Sequence, residues 1–338
     1  MKKLVLVLVA VSAPIFTVAQ AADIGHYYGG VMNIRDFFPP EQPGFYGSLY
    51  NSYYTTDRLN DRNGDKISSV EVRTPSGPVK LGLEVNLNIY QPLPAITWIS
   101  PCEIFGARYG AFIAPSFANS SLETEFTIAE RVAGRIRSSS LGVGDLFVQP
   151  VWLDWTERHW DFSLGYGFCA PTGKYDSQTV VLPGGADVTV ESKNNIGLGF
   201  WTQQVQGGIA WYPKTNKATA FVAVLTYEYN GKKEDFELKP GQMLTLNWGI
   251  SQYLPLCKNH TLLLEICPAG YDTWQITDST GGDAIAPDSR SQVHGVGGEV
   301  GLTYVPWQAF LTLHGFYEYA AESRFQGTFL GINLGIKF

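Results

Sequence analysis

Past its first twenty residues, this 338-residue sequence has no apolar run of the eighteen or so residues that a membrane-crossing helix needs. Helical membrane architectures are thereby excluded; membrane strands are not. Charge is scarce too. Asp, Glu, Lys and Arg make up 16% of the chain, against about 25% in a typical soluble domain. No basic excess exists: 24 Lys and Arg stand against 31 Asp and Glu, and the net charge of -7 leaves no broad cationic face for nucleic acid. Four cysteines, Cys102, Cys169, Cys257 and Cys267, are too few for a disulfide scaffold at this length, and their spacing picks out no pair. The five histidines and four thiols form no cluster with metal-ligand spacing. There is no Gly-x-Ser-x-Gly elbow. Neither an enzyme nor a bound cofactor is therefore expected.

Glycine and aromatic side chains are abundant, with 36 Gly, 18 Tyr, 19 Phe and 9 Trp. The chain ends on a pattern of period two. Leu330, Ile332, Leu334, Ile336 and Phe338 share one face of an extended strand, and Gly331, Asn333, Gly335 and Lys337 share the other. The same alternation runs through 79–90, 160–169, 244–251 and 311–319. Such segments of about ten residues are the signature of a membrane β-barrel. At the other end, Met1-Lys2-Lys3, the apolar run from Leu4 to Val11 and Ala19-Gln20-Ala21 read as a secretory signal peptide over 1–21. Residues 22–43 then form an N-terminal periplasmic or lumen segment, and 44–338 the barrel.

Connections alternate in length. Short ones lie near 156–159, 213–217, 257–260 and 305–308; long ones near 58–78, 118–143, 172–194, 230–242 and 275–292. This predicts an all-β, antiparallel transmembrane barrel of about 12 strands with short periplasmic turns and long extracellular loops. The alternative is about 14 strands, if 121–132 forms a hairpin of its own. Trp155, Trp160, Trp211, Tyr212, Tyr253, Tyr304 and Trp307 fall beside the short turns, and Tyr54, Tyr229, Tyr271, Trp274 and Tyr319 near the opposite ends. These are the expected interfacial girdles. The terminal alternation ending in Phe338 is the expected signal for the barrel-assembly machinery. The chain is thus expected in the outer membrane of a Gram-negative bacterium, among outer-membrane lipids, with a monomer favoured.

Several segments carry a resemblance: His26-Tyr27-Tyr28-Gly29-Gly30 through Pro39-Pro40, Gly144-Asp145-Leu146, Gln149-Pro150, Ala170-Pro171-Thr172-Gly173-Lys174-Tyr175, Gly199-Phe200-Trp201 and Trp274-Gln275-Ile276-Thr277-Asp278. In this order they resemble the outer-membrane transporter family named after the meta-pathway of phenol degradation. The resemblance implies a channel for passive uptake of small hydrophobic, often aromatic, solutes. The rival readings are a structural or adhesive barrel and an outer-membrane hydrolase.

Polar strand faces predict the lumen lining: Lys80, Glu84, Asn86, Asn88, Arg108, Asp145, Gln204, Glu228, Asn247, Glu265, Glu299, His314, Glu318, Asn333 and Lys337. Their acidic excess predicts a wet lumen with a modest cation preference. Asp57 to Asp65 has EF-hand-like acids, but Leu59 and Val70 stand where that loop needs ligands, so a turn-rich outer loop is expected. Residues 121–137 place Leu122, Phe126, Ala129, Val132 and Ile136 at helical spacing. They form either a helix folded into the pore mouth or a strand extension above the membrane.

Overall fold

The computed structural model describes residues 25–74, 77–128, 131–181, 187–192, 195–284 and 288–338; the expected signal peptide lies outside them. Fifteen strands occur among these residues. They are β1 (Gly44–Thr56), β2 (Ser69–Thr74), β3 (Gly77–Ile104), β4 (Ala107–Ile128), β5 (Arg131–Thr156), β6 (Trp160–Ala170), β7 (Ser177–Val181), β8 (Asp187–Glu191), β9 (Thr202–Trp211), β10 (Thr219–Asn230), β11 (Met243–Pro255), β12 (Leu262–Gln275), β13 (Gln292–Tyr304), β14 (Ala309–Glu322) and β15 (Thr328–Lys337). All but β2, β7 and β8 form a closed antiparallel ring. The ring closes because β1 pairs with β3 on one side and with β15 on the other, from Tyr46↔Lys337 to Thr55↔Thr328. Lipid tolerates no open sheet edge, so closure is obligatory for this architecture. It also holds the chain end: the Phe338 amide donates to the Phe45 carbonyl at 3.0 Å, and the two rings stack at 6.3 Å.

Alternation sorts the side chains. Leu330, Ile332, Leu334 and Ile336 of β15 are exposed on the outer face, as are Leu311, Leu313 and Tyr317 of β14 and Leu225 and Phe221 of β10. Their neighbours Phe329, Asn333, His314, Phe316, Thr226 and Glu228 are buried inside. Outward Trp160, Trp211 and Phe221 form a ring cluster at the short-turn end, at 5.2–6.3 Å. Four aromatics assigned to the girdles turn inward instead. Tyr212 donates to Asp161, Tyr54 and Tyr271 donate to Glu318, and Tyr253 lies under the Arg35 guanidinium. A phenol hydroxyl has better partners inside a polar lumen than in lipid.

Three strands outrun the others. β3, β4 and β5 have 28, 22 and 26 residues, far more than a membrane crossing requires. Residues 121–128 and 131–137 belong to β4 and β5 and pair with one another, so they are a strand extension and not a helix in the mouth; Ala129 lies outside the described residues. Cross-strand ion pairs Glu123–Arg137 and Glu125–Arg135 stitch it together. The inner side of the extension packs Leu81, Leu83, Val85, Phe126 and Leu59 into one cluster. This corrects four lumen assignments. Lys80, Glu84 and Asn86 are exposed on the outer face of β3, and Asn88 faces the same way, accepting from Tyr53 at 2.8 Å. Above the membrane the outer face meets water, so polarity inverts and the apolar face turns inward.

Among the described residues, no ladder pairs join Gln91–Ala95 to Ala114–Ala118, although β3 and β4 pair on both sides of that stretch. Pro92, Pro94 and Pro115 lie there, each lacking an amide donor.

Candidate functional site

The ring of strands is occupied. Residues 25–43 run down the lumen from the long-loop end to the start of β1. On one side they are gripped by polar groups. The Tyr27 amide donates to Glu228 Oε1 at 2.9 Å, the Gly30 amide to Asn247 Oδ1 at 3.0 Å, and the Ile34 amide to both Glu299 oxygens at 3.1 Å. Asn333 Nδ2 donates to the Val31 carbonyl at 2.8 Å. Arg35 lies 3.3 Å from Glu265 and donates to Ser251 and to the carbonyls of Lys217 and Ala218. Lower down, Ser163 donates to the Phe37 carbonyl and Arg108 to that of Pro39. Gly29 and Gly30 are required where they stand. A Cβ on Gly29 would meet the Tyr271 ring at 2.5 Å, and Gly30 has φ +80 with Phe316 at 2.9 Å.

The sequence-assigned residues thus fall into distinct places. Glu228, Asn247, Glu265 and Glu299 are buried and hold the segment. Glu318 is buried among Tyr54, Tyr271 and the Gly327 amide. His314 is buried beside Phe316 and Phe329, with neither ring nitrogen hydrogen-bonded. Arg108 pairs with Asp154 at 3.0 Å, and Lys337 reaches Gln42 at the short-turn end. Lys80, Glu84, Asn86 and Asn88 lie outside the lumen, as described above. Among the described residues, the inward carboxylates of Glu228, Glu265, Glu299 and Glu318 bind protein groups instead of lining a wide wet lumen.

A second centre forms at Asp145. Its carboxylate accepts from His26 Nε2 at 2.9 Å and from the amides of Gly173 and Leu198 at 2.9 and 2.8 Å. His26 also reaches Thr202 at 2.8 Å and stands edge-on to Phe200 at 5.0 Å. One carboxylate therefore ties the head of the segment to both limbs of the loop between β6 and β9. Backbones crowd here: a Cβ on Gly173 would lie 2.7 Å from both Gly144 and Gly197. Residues Gly173 and Ile196–Leu198 of this loop, rather than 121–128 and 131–137, reach the barrel mouth.

Between Asp145, the segment and β3–β6 and β9 lies a cavity of about 150 Å³. Leu93, Phe112, Phe147, Trp152, Ile196 and Leu198 form its apolar walls. Gln91, Leu93 and Ser116, also on its wall, belong to the stretch where β3 and β4 are unpaired. A second cavity of about 250 Å³ lies on the short-turn side, lined by Asp36, Tyr50, Tyr253 and Glu265. Trp152 borders both, and the segment separates them. Burial, with the charge of Glu265 adding to it, pushes the Asp36 carboxyl up to about 7, against hydrogen bonds from Asn33 and Tyr50.

Sequence reasoning missed this cavity. Its hydrophobic walls come from inward positions where a polar lining was expected, and its loop partners 196–198 lie just beyond the long connection expected at 172–194. A signal existed nonetheless. The segments His26-Tyr27-Tyr28, Gly144-Asp145-Leu146, Ala170 to Tyr175 and Gly199-Phe200-Trp201, far apart in the chain, all meet at Asp145. The acids of 57–65 are employed locally: Asp61 accepts from the amides of Asn63 and Asp65. The four cysteines are free thiols.

No curated protein matches this chain. Among solved structures it is similar to the COG4313 outer membrane channel from Pseudomonas putida F1, at 17% identity over 91% of this chain and 100% of that one, with a TM-score of 0.59. It is more distantly similar to the translocator domain of the autotransporter NalP from Neisseria meningitidis (10% identity, 90% and 92% covered, TM-score 0.44). A like distance separates it from the CymD monoaromatic hydrocarbon channel (8% identity, 93% and 95% covered, TM-score 0.41). The first likeness is one of fold: a closed barrel of the outer-membrane kind. Residues 56–334 match the family described as "Putative MetA-pathway of phenol degradation", and the chain belongs to that family.

Proposed function

We propose that this protein is a passive outer-membrane channel for small, predominantly hydrophobic molecules, aromatic ones among them. The observation that carries this reading is the apolar cavity inside the lumen, closed toward the short-turn end by a segment held through hydrogen bonds and ion pairs. Such contacts break and reform without chemistry, and passage requires the segment to shift. The chain's similarity to an outer membrane channel from Pseudomonas putida F1 points the same way. Flux of a panel of aromatic and aliphatic solutes into liposomes holding the purified protein tests it. Selective passage of small apolar solutes is expected; flux no greater than in protein-free liposomes contradicts it.

In this reading the chain is exported through cleavage of residues 1–21, and its terminal alternation is the address read by the barrel-assembly machinery. Phe338→Asp then leaves little heat-modifiable barrel in the outer membrane. Normal levels of folded mutant would contradict that role.

A further inference from the structure

One pair of ionisable side chains faces the lipid. Tyr271 and Thr273 of β12 and Val293 of β13 are buried inside the ring, so alternation turns Asp272 and His294 outward, onto the faces of exposed Ile266 and Val296. The two stand directly opposite one another in the ladder, and His294 stands opposite Tyr319 of β14. His294 Nδ1 lies 2.6 Å from Asp272 Oδ1. A carboxylate only accepts, so Nδ1 is the donor and Nε2 is left for a partner outside the pair. Asp272 Oδ2 accepts from Trp248 Nε1 at 2.9 Å. Trp248 reaches it because Gly270 has no side chain; a Cβ there would collide with the indole. Trp274 stands edge-on to the imidazole at 5.8 Å, and Tyr319 stacks on it at 5.6 Å.

Ionisable residues on a lipid-facing wall are rare and mark sites. β12 ends at Gln275 and β13 begins at Gln292, so the pair stands near the long-loop end, at the level of the outer-leaflet head groups. The outward positions of β12–β14 hold no serine, threonine or cysteine to serve as a nucleophile. Trp248 also walls an outward hollow of about 280 Å³, with Ile209, Trp211, Phe221 and Ile250 around the short side chain of Ala223. The hollow runs from Trp248 toward the short-turn aromatics, away from the pair, as an acyl chain does below its head group. Charge selects the head. Glu322 pairs with Gln292 one step above His294, while Arg290 is bonded to Asp278 and Lys239 to the Tyr229 hydroxyl, each at 2.8 Å. An anionic head group would face the Asp272 carboxylate with these cations already engaged. A saccharide meets no such repulsion: its hydroxyls donate to Nε2, and its C–H faces pack on Trp274 and on Tyr319, which is 43% exposed.

We propose that the outer wall of β10–β14 is a binding site for one membrane lipid with a neutral saccharide head group, its sugar at His294, Trp274 and Tyr319 and an acyl chain in the hollow beneath Trp248. The site lies on the opposite side of the wall from the lumen and does not depend on the channel reading above.

The test is native mass spectrometry of the folded full-length protein, released from a polyoxyethylene detergent after incubation with equal amounts of three lipids of identical acyl chains. They are a monoglucosyl diacylglycerol, a diacylglycerol phosphate and a phosphatidylcholine, whose head has no hydrogen-bond donor. The wild type is expected to retain the glucosyl lipid about tenfold more than either of the others, the size of one net hydrogen bond. His294→Leu is expected to bring the glucosyl lipid down to the phosphatidylcholine level, and Ala223→Trp, which fills the hollow, to lower retention of all three. Equal retention of the three lipids by the wild type, or a preference for the phosphate, overturns the proposal and needs no variant to fold. So does an undiminished glucosyl preference in heat-modifiable His294→Leu, or unchanged retention in heat-modifiable Ala223→Trp.

Discussion

The two sides of the lumen wall do opposite things with the same pleat. On β10–β13 and β15 the inward positions carry Glu228, Asn247, Glu265, Glu299 and Asn333. Among the described residues, every hydrogen bond from residues 27–35 to the barrel goes to this side or to the adjoining β9–β10 turn. On β3–β6 and β9 the inward positions carry Leu93, Phe112, Phe147, Trp152, Gln149 and Gln204, and there a cavity remains. A buried carboxylate needs donors, and an extended peptide supplies a row of amides, so the acidic side binds the segment. The aromatic side offers the peptide no such exchange. The segment is therefore held mainly by one wall and leaves space against the other, with Asp145 and Thr202 at His26, Ser163 at Phe37 and Arg108 at Pro39 as fastenings across the gap.

The largest test of this division is removal of its filling. Deleting residues 25–38 should raise single-channel conductance several-fold, since the two cavities then join. An unchanged conductance in a folded deletion protein would mean that the segment does not occlude the lumen.

Next in size is Asp145→Ala. It orphans His26 and two backbone amides on the cavity side, and removing one partner from a buried charged cluster costs about 3–5 kcal/mol. The folded form should unfold at a lower temperature in gel-shift assays, and current fluctuations should increase. Glu299→Gln on the acidic side keeps an acceptor for the Ile34 amide and should cost about 1 kcal/mol or less. If the two substitutions behave alike, the sides are not as different as described.

A smaller effect follows from Asp36, on the segment itself. Its carboxyl is pushed up from 3.8 to about 7. The seated state therefore binds the proton more tightly than the released state. The contribution to seating is fully present below about pH 4 and is lost as pH rises to about 7. Open probability should rise across that window, and Asp36→Asn should flatten the rise. A rise of equal steepness in Asp36→Asn would assign it to another group.

Smallest is the effect of deleting 121–137. The hairpin lies beyond the lumen, so conductance should stay near the wild-type value. A marked increase would place it in the conduction path.

Much of this molecule was legible in its sequence, and the failures share one cause. Alternation located the strands because lipid outside and a packed lumen inside impose different chemistry on successive residues. It failed wherever the outside was not lipid. At Lys80, Glu84 and Asn86 water replaced lipid, and the inference from polarity to direction reversed. At 121–137 the helical spacing of Leu122, Phe126 and Ile136 was accidental, since the described residues 121–128 pair with β5. The polar residues Glu228, Asn247, Glu265 and Glu299 were found by pattern, and 22–43 was expected in the periplasm or the lumen, but not that the two bond, because an extended peptide bonding through its amides leaves almost no side-chain signature. The cavity was only half legible for a related reason: Gln204 was read as a lumen position, but Gln149 faces inward through a bulge at Pro150 that period-two counting cannot anticipate.

The central claim is that the seated segment must shift for solute to pass. Ile34 and Cys267 both pack against Gly249, where a Cβ would meet Ile34 Cγ1 at 3.2 Å and Cys267 Sγ at 3.0 Å. Ile34→Cys, with Cys102, Cys169 and Cys257 replaced by serine, would allow an oxidant to tie the segment to the barrel and a reductant to free it. Cross-linking is read directly by mass spectrometry, and fluorobenzene flux into liposomes is measured in both states. Flux that stops on oxidation and returns on reduction is the predicted result; equal flux with the segment locked and free would contradict the account.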